Sequence, residues 1–160
     1  MIFDLVENTD HKASKLIDQN QTPVLNQFFS SITALGSAYF SLILIGFAWS
    51  FNNFLIAQKL ALGFLTTGTV IFALKYASKR KRPDDHVENL FSRASFPSGH
   101  SGNSFMMAMI LSNYLGRSIS FFALAIGIAA SRVYLEDHYL SDVVVGSVIG
   151  LAIGQIIITV

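Results

Sequence analysis

Residues 19–58 contain no ionisable side chain, and beyond Pro23 the run becomes apolar enough for a membrane crossing at 32–51, about 20 residues being what a bilayer core requires. Asn52 and Asn53 mark a turn before a second apolar stretch at 55–78, in which Lys59 lies one turn inside and can snorkel back to its interface. Further apolar stretches follow at 98–115, 118–135 and 141–160, with Gly116 and Arg117 separating the third from the fourth. This pattern predicts an all-α polytopic membrane helix bundle of about five transmembrane helices. Residues 1–18 read differently. Asp4, Glu7, Asp10, Lys12, Lys15 and Asp18 interrupt any leader-like apolar core, while Phe3, Val6, Ala13 and Ile17 fall roughly on one side. The expectation is an amphipathic helix lying at the interface, with His11 solvated and no cleaved leader. One membrane-embedded domain over 1–160 is expected, comprising the interfacial helix 1–18 and a transmembrane core 19–160.

Composition agrees, since 52% of the 160 residues are apolar and 13% are charged, about half the charged share of a soluble domain. Eleven Lys and Arg nearly cancel ten Asp and Glu, which excludes the global basic field of a nucleic-acid binder. Without cysteine there is no disulfide, thiolate nucleophile or Cys-type metal site. Gly146, Gly150 and Gly154 repeat every four residues along one face of the last span; this is read as intramolecular helix packing, with a dimer interface as the alternative.

The ionisable residues gather on one side of the membrane, at the 79–97 and 136–140 loops. Lys75, Lys79, Arg80, Lys81, Arg82, Arg93, Arg132, His100, His138 and Asp142 lie there, against only Lys59 and Arg117 opposite. Lys79, Arg80 and Lys81 are equally well read as solvated, topogenic charge. Lys75 and Arg82 are seven residues apart, so on a helix running to Pro83 they share a face and can point at one anion. Ser98 can cap the third span, Gly99 admits close approach to its backbone, and the free N–H groups form an anion cradle. His138 and Asp142 are spaced i, i+4, so the carboxylate can hold one ring nitrogen and leave the other free as a nucleophile. Arg132, costly in hydrocarbon, can clamp two oxygens of a tetrahedral anion. As a set, these residues imply phosphoryl transfer.

In order they read Lys75-x6-Arg82-Pro83, Pro97-Ser98-Gly99-His100, and Ser131-Arg132-x5-His138-x3-Asp142. This three-part pattern resembles the type 2 phosphatidic acid phosphatase family of membrane lipid phosphatases. The resemblance implies that Lys75, Arg82, Ser98, Gly99 and Arg132 bind phosphate oxygens, His138 attacks phosphorus, Asp142 orients His138, and His100 protonates the leaving oxygen. Two features depart from the commonest form: Leu140 stands where proline is frequent, and Glu136 and Asp137 place two acids before the nucleophile, which would raise the pKa of His138 or exclude certain headgroups. The additional span found before this core in many bacterial relatives is not evident.

The implied mechanism is hydrolysis of a lipid phosphate through a phosphohistidine, with no metal or cofactor because cationic side chains neutralise the phosphate. A phosphotransferase, a vanadium haloperoxidase, a metallohydrolase built on Asp84, Asp85, His86, His100 and His138, and a non-enzymatic membrane scaffold are the rival readings. The expected partners are the bilayer and an anionic lipid substrate, a polyprenyl diphosphate or phosphatidylglycerophosphate ahead of phosphatidic acid. Positive-charge asymmetry would place the site inside the cell, whereas the resemblance places it on the extracytoplasmic face of the cell membrane; the latter is adopted.

Overall fold

The computed structural model describes residues 2–83 and 94–160, without the side chains of residues 2–5 and Asp18. Phe3, Asp84, Asp85, His86 and Arg93 therefore lie outside the described side chains. The described elements are all helical: α1 (Ile2–Asp18), α2 (Pro23–Thr33), a 3-10 turn (Ala34–Gly36), α3 (Ala38–Ser50), α4 (Phe54–Ser78), α5 (Gly99–Leu115), α6 (Ser118–Tyr134) and α7 (Leu140–Thr159). By length and hydropathy α4 and α7 can each cross a membrane, and the bent pair Pro23–Gly36 and Ala38–Ser50 makes a third such segment. Among the described residues, three of the five expected crossings thus meet the length test. Helix α6 is apolar but has 17 residues, and α5, also 17, carries Ser101, Asn103 and Ser104 on buried positions.

The first expected span is corrected. Instead of one helix over 32–51, the chain breaks after Thr33 and bends by 53°. Gly36 sits in the break because a Cβ there would come within 2.5 Å of Ile128 and 3.3 Å of His100, and Ser37 then caps α3 by accepting from the Phe40 N–H. Asn103 of α5 ties the break down through the Gly36 carbonyl and the Ser41 hydroxyl.

Helix α5 is the centre of the bundle. Leu60, Met106, Met107, Ile110, Ile153 and Ile157 form a core shared by α4, α5 and α7. The glycine stripe of α7 serves this packing: a Cβ on Gly146 would lie 2.4 Å from the Ser98 carbonyl oxygen, and one on Gly150 would lie 2.0 Å from that of Gly102. Backbone thus meets backbone, and the Ser98 N–H donates to the Asp142 carbonyl at 2.9 Å, which locks the N-termini of α5 and α7 together. At the other end, Lys59 donates to the Ile157 carbonyl at 3.0 Å, so its ammonium caps the last helix as well as reaching its interface.

Helix α1 is more than an interfacial raft. Ile17 packs against Ala129, Val133 and Val143, and Asp10, which at helical spacing shares the side of Val6, Ala13 and Ile17, is 1% exposed.

Candidate active site

Five pieces of chain meet at one end of the bundle: the C-terminus of α4, the segment before α5, the α6–α7 turn, α1, and the break between α2 and α3. Helix α4 ends at Ser78 with Lys79 in a left-handed conformation (φ 48°). Lys75 and Arg82 therefore do not share a helix face, as the expectation of a helix running to Pro83 had it. Beyond the helix, exposure alternates along the chain, so that Arg80 and Arg82 turn inward while Lys79 and Lys81 face out. The segment before α5 is stitched to this strand-like stretch: the Ser95 N–H donates to the Arg80 carbonyl, the Ser95 hydroxyl to the Lys81 carbonyl, and Lys75 to the Ala94 and Ser95 carbonyls.

Ser98 is fully buried and caps α5, its hydroxyl accepting from the N–H and the hydroxyl of Ser101. Gly99 and His100 follow in the first turn, where the backbone N–H groups and the positive end of the helix favour an anion. Both line a cavity of about 270 Å³ whose remaining wall is mostly apolar, with Phe64, Gly68 and Ile71 of α4 and Ala38 of α3. A second hollow over Phe64, Gly68 and Phe72 continues along the outer face of α4.

His138 lies in the α6–α7 turn, positioned by its N–H donating to the Arg132 carbonyl at 3.1 Å. Its side chain is 2% exposed, and Nδ1 faces Asp142 Oδ2 at 3.7 Å, an approach rather than a closed hydrogen bond. Burial drives the imidazole below its ordinary range, to about 4; Lys75, Arg132 and Arg82 push the same way, against Asp142. The ring is thus neutral at pH 7, and the acids before it do not raise its pKa, contrary to one expectation from the sequence. The same three cations bear electrostatically on His100, so all five side chains converge.

Arg132 and Arg82 are joined by Asp137. Arg132 Nη2 lies 3.0 Å from Asp137 Oδ2, and Arg82 Nη1 lies 3.2 Å from Oδ1. Two guanidiniums thus hold two oxygens of one anion, while the other Arg132 nitrogen, Nη1, donates to the Thr33 hydroxyl at 2.8 Å.

The structure therefore brings together Lys75, Arg82, Ser98, Gly99, His100, Arg132, His138 and Asp142. It adds Asp10, Ser141 and Thr33, which sequence reasoning did not place at the site, turns Arg80 inward, and sets Asp137, read from the sequence as an acid beside the nucleophile, between two guanidiniums. Arg80 was indistinguishable from its neighbours in a run of four cations, and nothing near Asp10 in the sequence announces a partner 70 residues away. Among the described residues no group of three His, Asp or Glu side chains is arranged to hold a metal ion. Of the metallohydrolase set, Asp84, Asp85 and His86 lie outside the described residues.

The sequence profile described as the PAP2 superfamily matches residues 56–160. Phosphatidylglycerophosphatase B of Bacillus subtilis is 30% identical over 162 residues, covering 91% of this chain and 80% of that protein. Lipid A 1-phosphatase of Porphyromonas gingivalis is 31% identical over 101 residues, covering 60% of this chain and 22% of that protein. Among solved structures, Aquifex aeolicus LpxE superposes with a TM-score of 0.83 at 29% identity, covering 94% of this chain and 95% of that one. The transmembrane PAP2-type phosphatidylglycerolphosphate phosphatase from Bacillus subtilis gives a TM-score of 0.86 at 29% identity, covering 97% and 85%.

Proposed function

The chain belongs to the PAP2 superfamily of membrane lipid phosphatases, and from that premise we propose that it removes the terminal phosphate of a membrane lipid phosphate or diphosphate through a phosphohistidine, without a metal ion. The observation that carries the reading is the Arg82–Asp137–Arg132 bridge, in which a carboxylate already occupies a two-guanidinium clamp beside a neutral, buried histidine. A phosphoryl group offers the same paired oxygens with more charge.

In the proposed first step His138 Nε2, the nitrogen turned away from Asp142, attacks phosphorus in line. The N–P bond forms as the bond from phosphorus to the lipid-side oxygen breaks, and His100 gives that oxygen its proton. His100 then takes a proton from water, whose oxygen attacks phosphorus, breaks the N–P bond and releases inorganic phosphate. Lys75, Arg82, Arg132 and the N-terminus of α5 hold the equatorial oxygens, where charge has to be stabilised in the transition state. The apolar cavity against His100 supports a lipid on the leaving side, its chains running along α4.

A polyprenyl diphosphate or phosphatidylglycerophosphate is the preferred substrate, ahead of phosphatidic acid; the Bacillus subtilis relative and the Bacillus subtilis structure both bear the name of a phosphatidylglycerophosphate phosphatase. The site is placed on the extracytoplasmic face of the cell membrane. The test is phosphate release from these lipids by the purified protein in detergent, with a chelator arm, an added alcohol acceptor and the His138→Gln variant. Release that is chelator-resistant and absent in His138→Gln is expected. Release surviving that substitution rejects the phosphohistidine, a phosphorylated alcohol as main product makes the protein a transferase, and no release from any lipid rejects the activity.

A further inference from the structure

Asp142 has its two oxygens used differently. Oδ2 accepts the Tyr139 N–H at 3.0 Å and faces His138, whereas Oδ1 accepts from Arg80 Nη1 at 2.7 Å. Arg80 in turn is held on three sides. Nη1 also reaches the Ser141 hydroxyl at 2.7 Å, Nη2 donates to Asp10 Oδ2 at 2.7 Å, and the guanidinium lies over the Tyr139 ring at 4.2 Å. Asp10 completes the set by accepting from the Ser141 N–H at 2.9 Å and from its hydroxyl. A carboxylate that is 1% exposed, on a helix where Glu7, Lys12 and Lys15 are exposed, needs such partners, because burying it unpaired would be prohibitive.

We propose that Arg80 and Asp10 are positioning residues for the nucleophile: α1 uses Asp10 to brace Arg80, and Arg80 fixes the Asp142 carboxylate so that its free edge addresses His138 Nδ1. The proposal rests on the phosphatase reading and deepens it. Three features support it. Arg80 bonds to Asp142, Asp10 and Ser141, whereas the anion clamp is formed by Arg82 and Arg132 on Asp137, so its charge is directed at the carboxylate. The planar fork reaches Asp142 through Nη1 and Asp10 through Nη2, a separation that a single ammonium nitrogen does not copy. Burial alone would weaken the cation, yet the bond to Asp10 and the charges of Asp142 and Asp10 keep it charged. The N-terminal helix is thereby part of the active site through Asp10.

The experiment pairs steady-state kinetics on one lipid phosphate with the nitrogen NMR signals of His138 in histidine-labelled protein, assigned by their loss in His138→Gln. Arg80→Ala should lower kcat by about 10- to 100-fold and Asp10→Ala by about tenfold, with KM within about threefold of wild type, the range seen when groups behind a reacting residue are removed. Arg80→Lys should recover part of that loss, and Lys12→Ala, an exposed change on the helix that carries Asp10, should leave kcat unchanged. In the NMR arm wild type should show one neutral tautomer with the proton on Nδ1, and Arg80→Ala and Asp10→Ala should mix the two. Where an alanine variant does not fold, Arg80→Lys and Asp10→Asn carry both readouts. An unchanged tautomer, an unchanged kcat, or a loss confined to KM or thermal stability would overturn the proposal and leave a structural staple. Wild type that releases no lipid phosphate but shows the expected tautomer shifts would fail the phosphatase reading while the positioning network stood.

Discussion

Asp142 Oδ2 and His138 Nδ1 face each other at 3.7 Å, with the carboxylate already anchored by Arg80 and the Tyr139 N–H and the ring nitrogen making no hydrogen bond. The acceptor is set before the donor arrives, so binding of a phosphate against the ring has only to move the imidazole by a fraction of an ångström to close the bond. Asp142→Asn keeps the shape and loses the charge that would stabilise the imidazole as it bonds to phosphorus. We expect kcat to fall at least about a hundredfold with a much smaller change in KM. Steady-state kinetics on one lipid phosphate decides it, and a rate within threefold of wild type would remove Asp142 from the mechanism.

The chemistry was more legible in the sequence than the geometry that serves it. Lys75, Arg82, His100, Arg132, His138 and Asp142 stand out because ionisable groups are conspicuous in a chain this apolar. The bend at Gly36 and Ser37 was not legible, since small residues inside an uninterrupted apolar run read equally well as one continuous helix. Arg80 was hidden for another reason: only the left-handed turn at Lys79 decides which members of the cation run face inward. Asp10 falls at helical spacing with Val6, Ala13 and Ile17, but its partners depend on long-range docking of α1, which local periodicity does not encode.

His138 makes stability sensitive to acid. Its folded pKa is lowered from 6.5 to about 4, first by burial, so between these values the unfolded chain takes up a proton that the folded protein refuses. The contribution of the neutral ring is therefore complete above pH 6.5 and is lost as pH falls toward 4, at ~1.4 kcal/mol per pH unit. His138→Gln cannot titrate. The difference in stability between wild type and this variant should shift against wild type by on the order of 2 kcal/mol between pH 6.5 and 5. Thermal unfolding in detergent at several pH values measures it, and parallel curves would show that His138 is solvated.

In the proposed mechanism Asp137, which bridges Arg82 and Arg132, competes with the phosphate for them. Its side chain is 32% exposed, so it can swing outward when a more highly charged anion arrives. Asp137→Asn leaves both guanidiniums free of a formal counter-charge, and inorganic phosphate and orthovanadate should both inhibit at about tenfold lower concentration, an ionic hydrogen bond being worth ~1.5 kcal/mol or more. Weaker inhibition would mean that Asp137 holds the clamp in shape instead of filling it.

Of the three glycines along α7, Gly150 leaves the least room against α5. A methyl group there would lie 2.0 Å from the Gly102 carbonyl oxygen, and backbone cannot step aside as a flexible side chain would. Gly150→Ala should cost ~1–3 kcal/mol or more by forcing the helices apart, and should lower activity as well, because the same contact aligns Ser98 with Asp142. Gly46→Ala is the control, with nothing within 4 Å of the added carbon and a gain in helix propensity. A Gly150→Ala protein as stable as Gly46→Ala would contradict the packing.

Arg132 bonds in two directions, through Nη1 to the Thr33 hydroxyl and through Nη2 to Asp137, with 9% of its side chain exposed. Lysine in its place could keep the charge but has a single nitrogen, so it would have to give up either the brace on Thr33 or the anion. Arg132→Lys should therefore lose well over tenfold in kcat/KM, more than ~1.4 kcal/mol of transition-state stabilisation. Lys79 and Lys81 face outward, where a charge is screened and replaceable, and Lys79→Ala or Lys81→Ala should cost less than about threefold. The comparison is made with one lipid phosphate in one detergent at fixed ionic strength, because surface cations also attract an anionic micelle. Thr33→Val separates the two roles of the guanidinium, since it removes the brace and keeps the fork; a loss smaller than that of Arg132→Lys assigns the larger share to the anion. A tolerant Arg132 beside an intolerant Lys79 or Lys81 would put the phosphate outside the clamp, in the loop beyond α4.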